Sequence, residues 1–383
     1  MAVAAEPLPP DTPSAPAEGR RGVEPVGQLP PQDWMADPAT RAVTGALAAA
    51  GWPVRFVGGC VRDAVLRRAV HDLDLATPAR PEQVVAALEA AGLRVVPTGL
   101  AHGTVTALAG GRAFEITTLR VDADCDGRHA RVTFTDDWLA DAARRDFTIN
   151  AMSADLDGRV FDPFDGLADL GAGRVRFVGL ADRRIEEDAL RLLRFFRFHA
   201  HYGRRGVLDS QALVACRRHA DRLAGLSGER VAAEMLRLLA APDPATVLVT
   251  MVANAILAPI LPEARDVERL RQLSWLESRG LARPDVVPDP LRRLAALLGP
   301  DRAAALDVAR RLRLSNDDAA RLADLAAPPC PVAPDPDPRI VRRRLHALGA
   351  ARVRDIALLT WAGRRIALRH PEPAETAGWL ALL

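Results

Sequence analysis

Lysine is absent from this chain. All 51 of its basic residues are arginine, set against 49 acidic ones, which leaves a formal net charge of +2 over 383 residues. So small an excess does not by itself imply a polyanionic partner. It leaves any nucleic-acid contact to arginine, whose planar fork of donors suits phosphates and base edges. A GC-rich coding sequence accounts equally for the arginine and for the abundance of Ala, Pro and Gly. Cysteine is scarce: Cys60, Cys125, Cys216 and Cys330 lie far apart with no CxxC pair, which argues against structural zinc and a disulfide framework. No apolar run approaches the roughly 20 residues that span a bilayer. The N-terminus lacks a basic segment followed by an apolar one, so no secretory signal and no membrane partner are expected, and the expected setting is cytoplasmic. The remainder, 49% hydrophobic and 26% charged, has the composition of a soluble globular protein long enough for two or more cores.

The densest chemistry lies in residues 56–77, FVGGCVRDAVLRRAVHDLDLAT. An apolar strand over 54–57, interrupted only by Arg55, runs into Gly58-Gly59 and a short amphipathic helix through Val61, Ala64, Val65 and Leu66. A second strand is expected to carry Asp72 and Asp74. Strand residues two apart share a face, so the two carboxylates point the same way. A glycine turn opening a helix offers backbone N–H groups to phosphate, and neighbouring carboxylates hold Mg²⁺. Phosphate and magnesium side by side suggest nucleotidyl transfer. Further on, strands over 104–109 and 113–119 flank Gly110-Gly111 as a hairpin. Phe114 and Ile116 face one side of its second strand, and Glu115, Thr117 and Leu119 the other. An acid in mid-strand is costly to bury alone. Glu115 therefore lies either on a solvated face or beside Asp72 and Asp74 as a third carboxylate.

The combination GGxVRD followed by DxD resembles the head of the bacterial tRNA nucleotidyltransferase and poly(A) polymerase family, in the polymerase-beta-like superfamily (class II). Three similar segments follow in order: FEITTLR at 114–120, RRDFTIN at 144–150 and EDALR at 187–191. The likeness is dense from Val54 to Phe198 and fades beyond Leu239. It implies that Asp72, Asp74 and Glu115 are catalytic, with Asp72 and Asp74 as metal ligands. Two Mg²⁺ ions, about 3.5–4 Å apart in such sites, activate a hydroxyl and stabilise the departing group. It also implies that Gly58, Gly59 and Arg62 meet the nucleotide, that Arg144 or Arg145 binds phosphate or ribose, and that Asp146 and Asn150 recognise the sugar. Without the resemblance, the 144–150 cluster reads as a charged helix start. Asp63 is expected to anchor its helix or a neighbouring arginine.

A single amphipathic helix is predicted over 185–200, where Asp188, Arg191 and Arg194 share one ridge. Spacing alone gives a salt-bridged surface there. In the family this motif selects the nucleotide, and Arg194 and Arg197 continue the nucleotide-binding set. The chemistry is consistent: cytosine and adenine both present an exocyclic amino donor beside a ring-nitrogen acceptor. Asp188 accepts from the first and Arg191 donates to the second. Uracil and guanine reverse that order, and a site losing its hydrogen bonds this way discriminates by roughly 10⁴-fold or more. The segment 120–136 is polar and loop-like at first and then alternates as a short strand through Val132 and Phe134; beginning with Arg120 and Asp122, it resembles the family's flexible loop. DGLADL at 165–170 resembles its hinge element, so Asp165 and Gly166 are expected to couple domain motion to nucleotide choice. His102, before Gly103-Thr104, departs from the family pattern and carries no assigned role.

The expected architecture is α+β. A Pro- and Ala-rich disordered lead-in (1–33) precedes a head with a mixed or antiparallel sheet and helices (34–180), ending in a strand over 175–178. A helical neck (181–240) and a helical body and tail (241–383) follow. The resemblance implies template-free addition of C, C and A to the 3′ end of tRNA from CTP and ATP. The helical arm would hold the tRNA, with Arg342, Arg343, Arg344, Arg364 and Arg365 either on its phosphates or on a solvated face. Alternatives are poly(A) polymerase activity, A-only or CC-only addition, and an inactive RNA-binding protein. The intact carboxylates weigh against the last. No His-Asp pair or His cluster supports a C-terminal phosphohydrolase, and the sequence is silent on oligomeric state.

Overall fold

A computed structural model describes residues 24–96, 99–125, 130–264, 267–281, 283, 285–334, 337–367 and 373–383. The chain divides into two compact units, the first ending at Ala168 and the second running from Asp169 to Leu383. The division falls twelve residues before the expected end of the head at 180. Over 175–178, where a strand is expected, the chain is irregular apart from a bridge residue at Phe177. The residues on both sides of 240, the expected boundary of neck and body, lie in the second unit.

Among the described residues the first unit holds ten strands: β1 (Gly27–Gln28), β2 (Arg55–Val57), β3 (Asp74–Thr77), β4 (Arg94–Val96), β5 (Thr104–Ala109), β6 (Arg112–Thr118), β7 (Arg120–Cys125), β8 (Ala130–Phe134), β9 (Ser153–Ala154) and β10 (Arg159–Phe161). Eight form one mixed sheet in the order β1-β10-β9-β2-β3-β6-β5-β4. Every neighbouring pair in it is antiparallel except β3 with β6. The helices Pro38–Ala49 and Pro81–Ala90 accompany the sheet, and the α+β class holds. Two expectations need correcting. The segment from Arg120 is a strand paired with β8, not a loop; residues 126–129 of it lie outside the described residues. The lead-in contains β1, paired with β10, and Leu29 is buried; its residues 1–23 lie outside the described residues.

Local sequence explains these elements. At the β5–β6 turn, Ala109 pairs with Arg112 across Gly110 (φ 55°) and Gly111 (φ 74°). A two-residue turn that matches strand twist needs two such left-handed positions. Arg55, the one charge in an apolar strand, lies over the rings of Trp138 (4.3 Å) and Phe161 (3.5 Å). Burial lowers its guanidinium to about 10, opposed by Asp155. Each such contact is worth about 0.5–2 kcal/mol. On the same sheet, Val57, Ala76 and Leu119 form a small core closed by Trp138.

The second unit is built of helices. The single helix predicted over 185–200 is two, Ala181–Glu187 and Leu190–Tyr202, with Asp188 extended between them (φ −152°, ψ 107°). Helices Ser210–Arg218 and Pro373–Leu382 also belong to this unit. At the centre of the unit is a buried ion network. Arg293, fully buried, donates to Glu277 (2.6 Å) and to the carbonyls of Leu239 (2.6 Å) and Ala241 (2.7 Å). Arg292 joins Glu277 (2.8 Å) to Asp355 (2.6 Å), and Arg321 joins Asp355 (2.6 Å) to Asp289 (2.9 Å). Replacing a buried ionic group is worst when it strands its partner, at about 3–5 kcal/mol. Glu277→Gln is accordingly expected to lower unfolding free energy by about that amount in urea titration; an unchanged midpoint would show that the network contributes little.

Candidate active site

The parallel pairing of β3 with β6 sets Asp74 in register with Glu115. Neighbouring strands lie about 4.8 Å apart, so the two carboxylates project from adjacent positions on one face. Glu115 is exposed and Asp74 half-buried. Asp72 lies ahead of the strand, because neither neighbour pairs with the chain before Asp74. That corrects the expectation of one strand carrying both. The alternation nevertheless continues, with Asp72 exposed while Leu73 and Leu75 are buried. Burial, then the charge of Glu115, pushes the Asp74 carboxyl above the usual range; Arg145 pulls it down and Asp72 pushes it further up. Asp74 thus feels the charge of both neighbouring carboxylates, with Arg145 as a counter-charge.

Gly58 turns the chain at φ 71° and ψ −120°, and its N–H donates to the Met152 carbonyl at 3.2 Å. A Cβ there would lie 3.3 Å from Arg145 Nη1 and 3.9 Å from the Asn150 carbonyl. Glycine serves both the left-handed backbone and the close approach of the 145–150 segment. At Gly59 a Cβ would meet only Arg62 Nη2, at an ordinary 3.7 Å. Arg62 is buried and donates to both oxygens of Asp63 (3.0 and 2.8 Å) and to Asn150 Oδ1 (2.6 Å). Asp63 anchors a neighbouring arginine, as expected. Asn150 in turn donates to Asp146 Oδ1 (3.1 Å), which also accepts from the Phe147 N–H (2.9 Å). The structure therefore joins Arg62, Asp146 and Asn150 in one chain of hydrogen bonds.

The 144–150 segment is a helix end, not a helix start. The helix Trp138–Ala143 stops at Arg144, and Thr148–Asn150 makes one 3₁₀ turn. Asp141, which sequence reasoning missed, holds both arginines. Its Oδ1 accepts from Arg144 Nε (3.0 Å) and Nη2 (2.8 Å), and its Oδ2 from Arg145 Nη2 (3.2 Å). Burial works to raise this carboxyl, but Arg145 and Arg144 outweigh it and hold it below the usual range. The spacing Asp-x-x-Arg-Arg on a helix was the available signal. Gly166 backs the same segment: a Cβ there would lie 2.4 Å from the Thr148 carbonyl. Asp162 accepts from the N–H groups of Gly166 (2.7 Å) and Leu167 (2.8 Å), beside Asp165 at φ 61°.

In the second unit, the helix break leaves Asp188 just ahead of the helix that carries Arg191 and Arg194, and Asp188 and Arg191 have different partners. Asp188 Oδ1 accepts from the Leu190 N–H (3.0 Å) and its Oδ2 from Arg230 (2.7 Å). Arg191 donates to Glu187 and to the Arg184 carbonyl (3.3 Å). Arg197 donates to the buried Glu234 at 2.5 Å, with Arg194 3.8 Å from the same carboxylate. Burial lowers the Arg197 guanidinium while Glu234 raises it. Arg197 thereby fastens Leu190–Tyr202 to the helix Gly228–Leu239. Of the tail arginines, Arg342, Arg343 and Arg364 are exposed. Arg344 donates to the Ala333 carbonyl (2.9 Å) and Arg365 to Gln272 (3.1 Å).

Residues 54–176 match the family model described as the poly(A) polymerase head domain, and residues 208–267 the one described as the probable RNA- and SrmB-binding site of polymerase A. The mitochondrial CCA tRNA nucleotidyltransferase 1 of Danio rerio is 41% identical over 269 residues, 69% of this chain and 61% of that protein. The matched segments resemble the CCA-adding enzyme and poly(A) polymerase family of nucleotidyltransferases. The CCA-adding enzyme of Lactiplantibacillus plantarum is 39% identical over 65% of this chain and 59% of its own length. The chain thus spans about three fifths of these two relatives. The crystal structure of the Bacillus stearothermophilus CCA-adding enzyme in complex with CTP superposes with a TM-score of 0.71 at 28% identity, over 90% of this chain and 80% of that one. No helix among the described residues is long and apolar enough to cross a membrane.

The Asp74 shift has a sign that can be tested. A carboxyl whose folded pKa is raised binds its proton more tightly folded than unfolded, so its ionisation costs stability as pH rises through the folded value. In EDTA, Asp74→Asn is expected to be more stable than wild type at neutral pH. The gap should close as pH falls towards the ordinary carboxylate value of about 3.9. Urea titrations across that range measure it, and a gap independent of pH would contradict the electrostatic grouping.

Proposed function

We propose that this chain is a CCA tRNA nucleotidyltransferase, adding C, C and A to the 3′ end of tRNA from CTP and ATP without a nucleic-acid template. The observation that carries this reading is the register pair Asp74–Glu115, with Asp72 before it and Arg145 and the Gly58 turn beside it. The named relatives are CCA-adding, which favours this activity over poly(A) synthesis, and one was solved with CTP. The proposed setting is the cytoplasm.

The donor set suits magnesium. It is all oxygen, half-exposed and mutually repelling, so a cation relieves the strain that raises the Asp74 carboxyl. Among the described residues no three ligating side chains close into a ready-made cage. Mg²⁺ commonly takes only one or two carboxylates and completes its shell with water and substrate phosphates. Asp72 and Asp74 would hold it, and two ions are proposed. Bound magnesium supplies positive charge opposite the attacking and departing oxygens.

The protein's own groups do the rest. Glu115 keeps the field at Asp74 negative. Gly58 leaves the backbone open to a triphosphate, and Arg145 adds charge beside it. The chain Asp63–Arg62–Asn150–Asp146 holds the sugar-reading side chains in fixed orientation. Asp188 accepts the exocyclic amino group of cytosine or adenine, and Arg191 donates to the ring nitrogen. Asp188 Oδ1 accepts from the Leu190 N–H and Oδ2 from Arg230, and each carboxylate oxygen accommodates a further donor. Arg194 and Arg197, tied to Glu234, support that helix behind the base. Exposed Arg342 and Arg343 are the proposed phosphate contacts of tRNA.

Supplied with Mg²⁺ and tRNA lacking its 3′ end, the protein is expected to add C, C and then A and stop; long A tails on unrelated RNA would contradict the reading. Asp72→Ala should abolish incorporation while RNA binding persists, so loss of RNA binding would make that carboxylate structural. Arg191→Ala is expected to cut the kcat/KM preference for CTP over UTP by at least about tenfold, the size of lost base-reading hydrogen bonds.

A further inference from the structure

We propose that Asp141 is a positioning residue, a single buried carboxylate that aims Arg145 at the glycine turn and holds Arg144 beside it. This rests on the nucleotidyltransferase reading above.

Asp141 is 3% exposed and receives three residues' donors. Its Oδ1 takes Arg144 through Nε and Nη2, and the backbone N–H of Arg120 at 3.2 Å. Its Oδ2 takes Arg145 Nη2 at 3.2 Å. The other arm of Arg145, Nη1, reaches the Asn150 carbonyl at 3.4 Å and lies against Gly58. The guanidinium is therefore strung between Asp141 and the turn that a triphosphate must approach. Arg145 is also the arginine whose charge acts on Asp74. Arg144 gives two of its donors to one Asp141 oxygen. A planar guanidinium held at two edges has little freedom to swing.

The helix bearing Asp141 is itself fixed. Asp137 caps it by accepting from the N–H groups of Leu139 (2.8 Å) and Ala140 (3.2 Å), and Trp138 is clamped under Arg55. The carboxylate thus links sheet, helix and the start of β7 to the arginine pair. Burial without those arginines would leave a stranded charge, so the arrangement fixes which arginine faces the phosphates. Because Arg145 meets the triphosphate before and during transfer, loosening it should weaken ground-state and transition-state binding alike.

The test compares wild type, Asp141→Asn, Arg145→Ala and the double variant. It reads KM and kcat for CTP with Mg²⁺ and tRNA, and direct binding of inorganic tripolyphosphate with Mg²⁺. Asp141→Asn is expected to raise KM and weaken tripolyphosphate binding on the order of 10- to 100-fold, as loosened charged hydrogen bonds would. The kcat should stay within about threefold, the mark of lost uniform binding. The double variant should bind no more weakly than Arg145→Ala alone; multiplying effects would overturn the proposal, as would a wild-type KM in Asp141→Asn. Asp141→Glu keeps the charge and should recover most of the binding. If Asp141→Asn does not melt cooperatively, Asp141→Glu carries the comparison, and an effect persisting undiminished on top of Arg145→Ala overturns it. The two readings separate cleanly. Should the wild type add nothing to tRNA while tripolyphosphate binding follows this pattern, the functional reading fails and the Asp141 assignment stands. Normal CCA addition with Asp141→Asn indifferent gives the reverse.

Discussion

One parallel strand pairing governs the head. By setting Asp74 in register with Glu115, it places two like charges side by side where one is half-buried. The register is secured from the opposite face: Leu75 and Ile116 are both fully buried, and a slip of one residue would turn them to solvent. The hydrophobic pattern thus holds together an arrangement that electrostatics alone would push apart. Around it lie the means of offsetting the repulsion. Arg145 lowers the Asp74 carboxyl, Asp141 restrains Arg145, and Gly58 permits the approach. A divalent cation held by Asp72 and Asp74, as proposed above, would offset what repulsion remains.

The absence of lysine has structural consequences beyond any binding role. Asp141, Glu187, Glu234, Glu277 and Asp355 each engage two or more arginines. A fork of five donors can serve a carboxylate and a backbone carbonyl together, as Arg293 does with Glu277, Leu239 and Ala241. A lysine has no such planar reach. Arginines that resemble a binding set in sequence therefore divide in space, with Arg145 at the glycine turn and Arg197 in the packing of two helices.

Much of the head was legible because its signals are local. Gly110-Gly111 forced a hairpin, alternation in FEITTLR put Phe114 and Ile116 inward, and the glycine turn marked the strand-to-helix junction. The signals failed where a long-range partner decides. Asp72 lies off β3 because the ladder ends at Asp74, which depends on neighbours far away in sequence. The helix over 185–200 breaks at Asp188, whose side chain accepts from the Leu190 N–H and from the distant Arg230. Gly27–Gln28 gains its order from β10, over a hundred residues on, and polar composition around it gave no hint. Asp141 was visible as a spacing but not as a burial.

The chemistry proposed for the head requires Glu115 to act with Asp74 as one charged centre rather than as a solvated strand residue. The direct measurement is single-turnover addition of one C to tRNA lacking its 3′ end, comparing Glu115→Gln with wild type across a Mg²⁺ titration. The account predicts a rate at saturating Mg²⁺ and CTP at least about 10²-fold lower in the variant, the scale of losing one preorganised charge at a reacting centre, with CTP binding retained. A wild-type rate at saturating Mg²⁺ would contradict it.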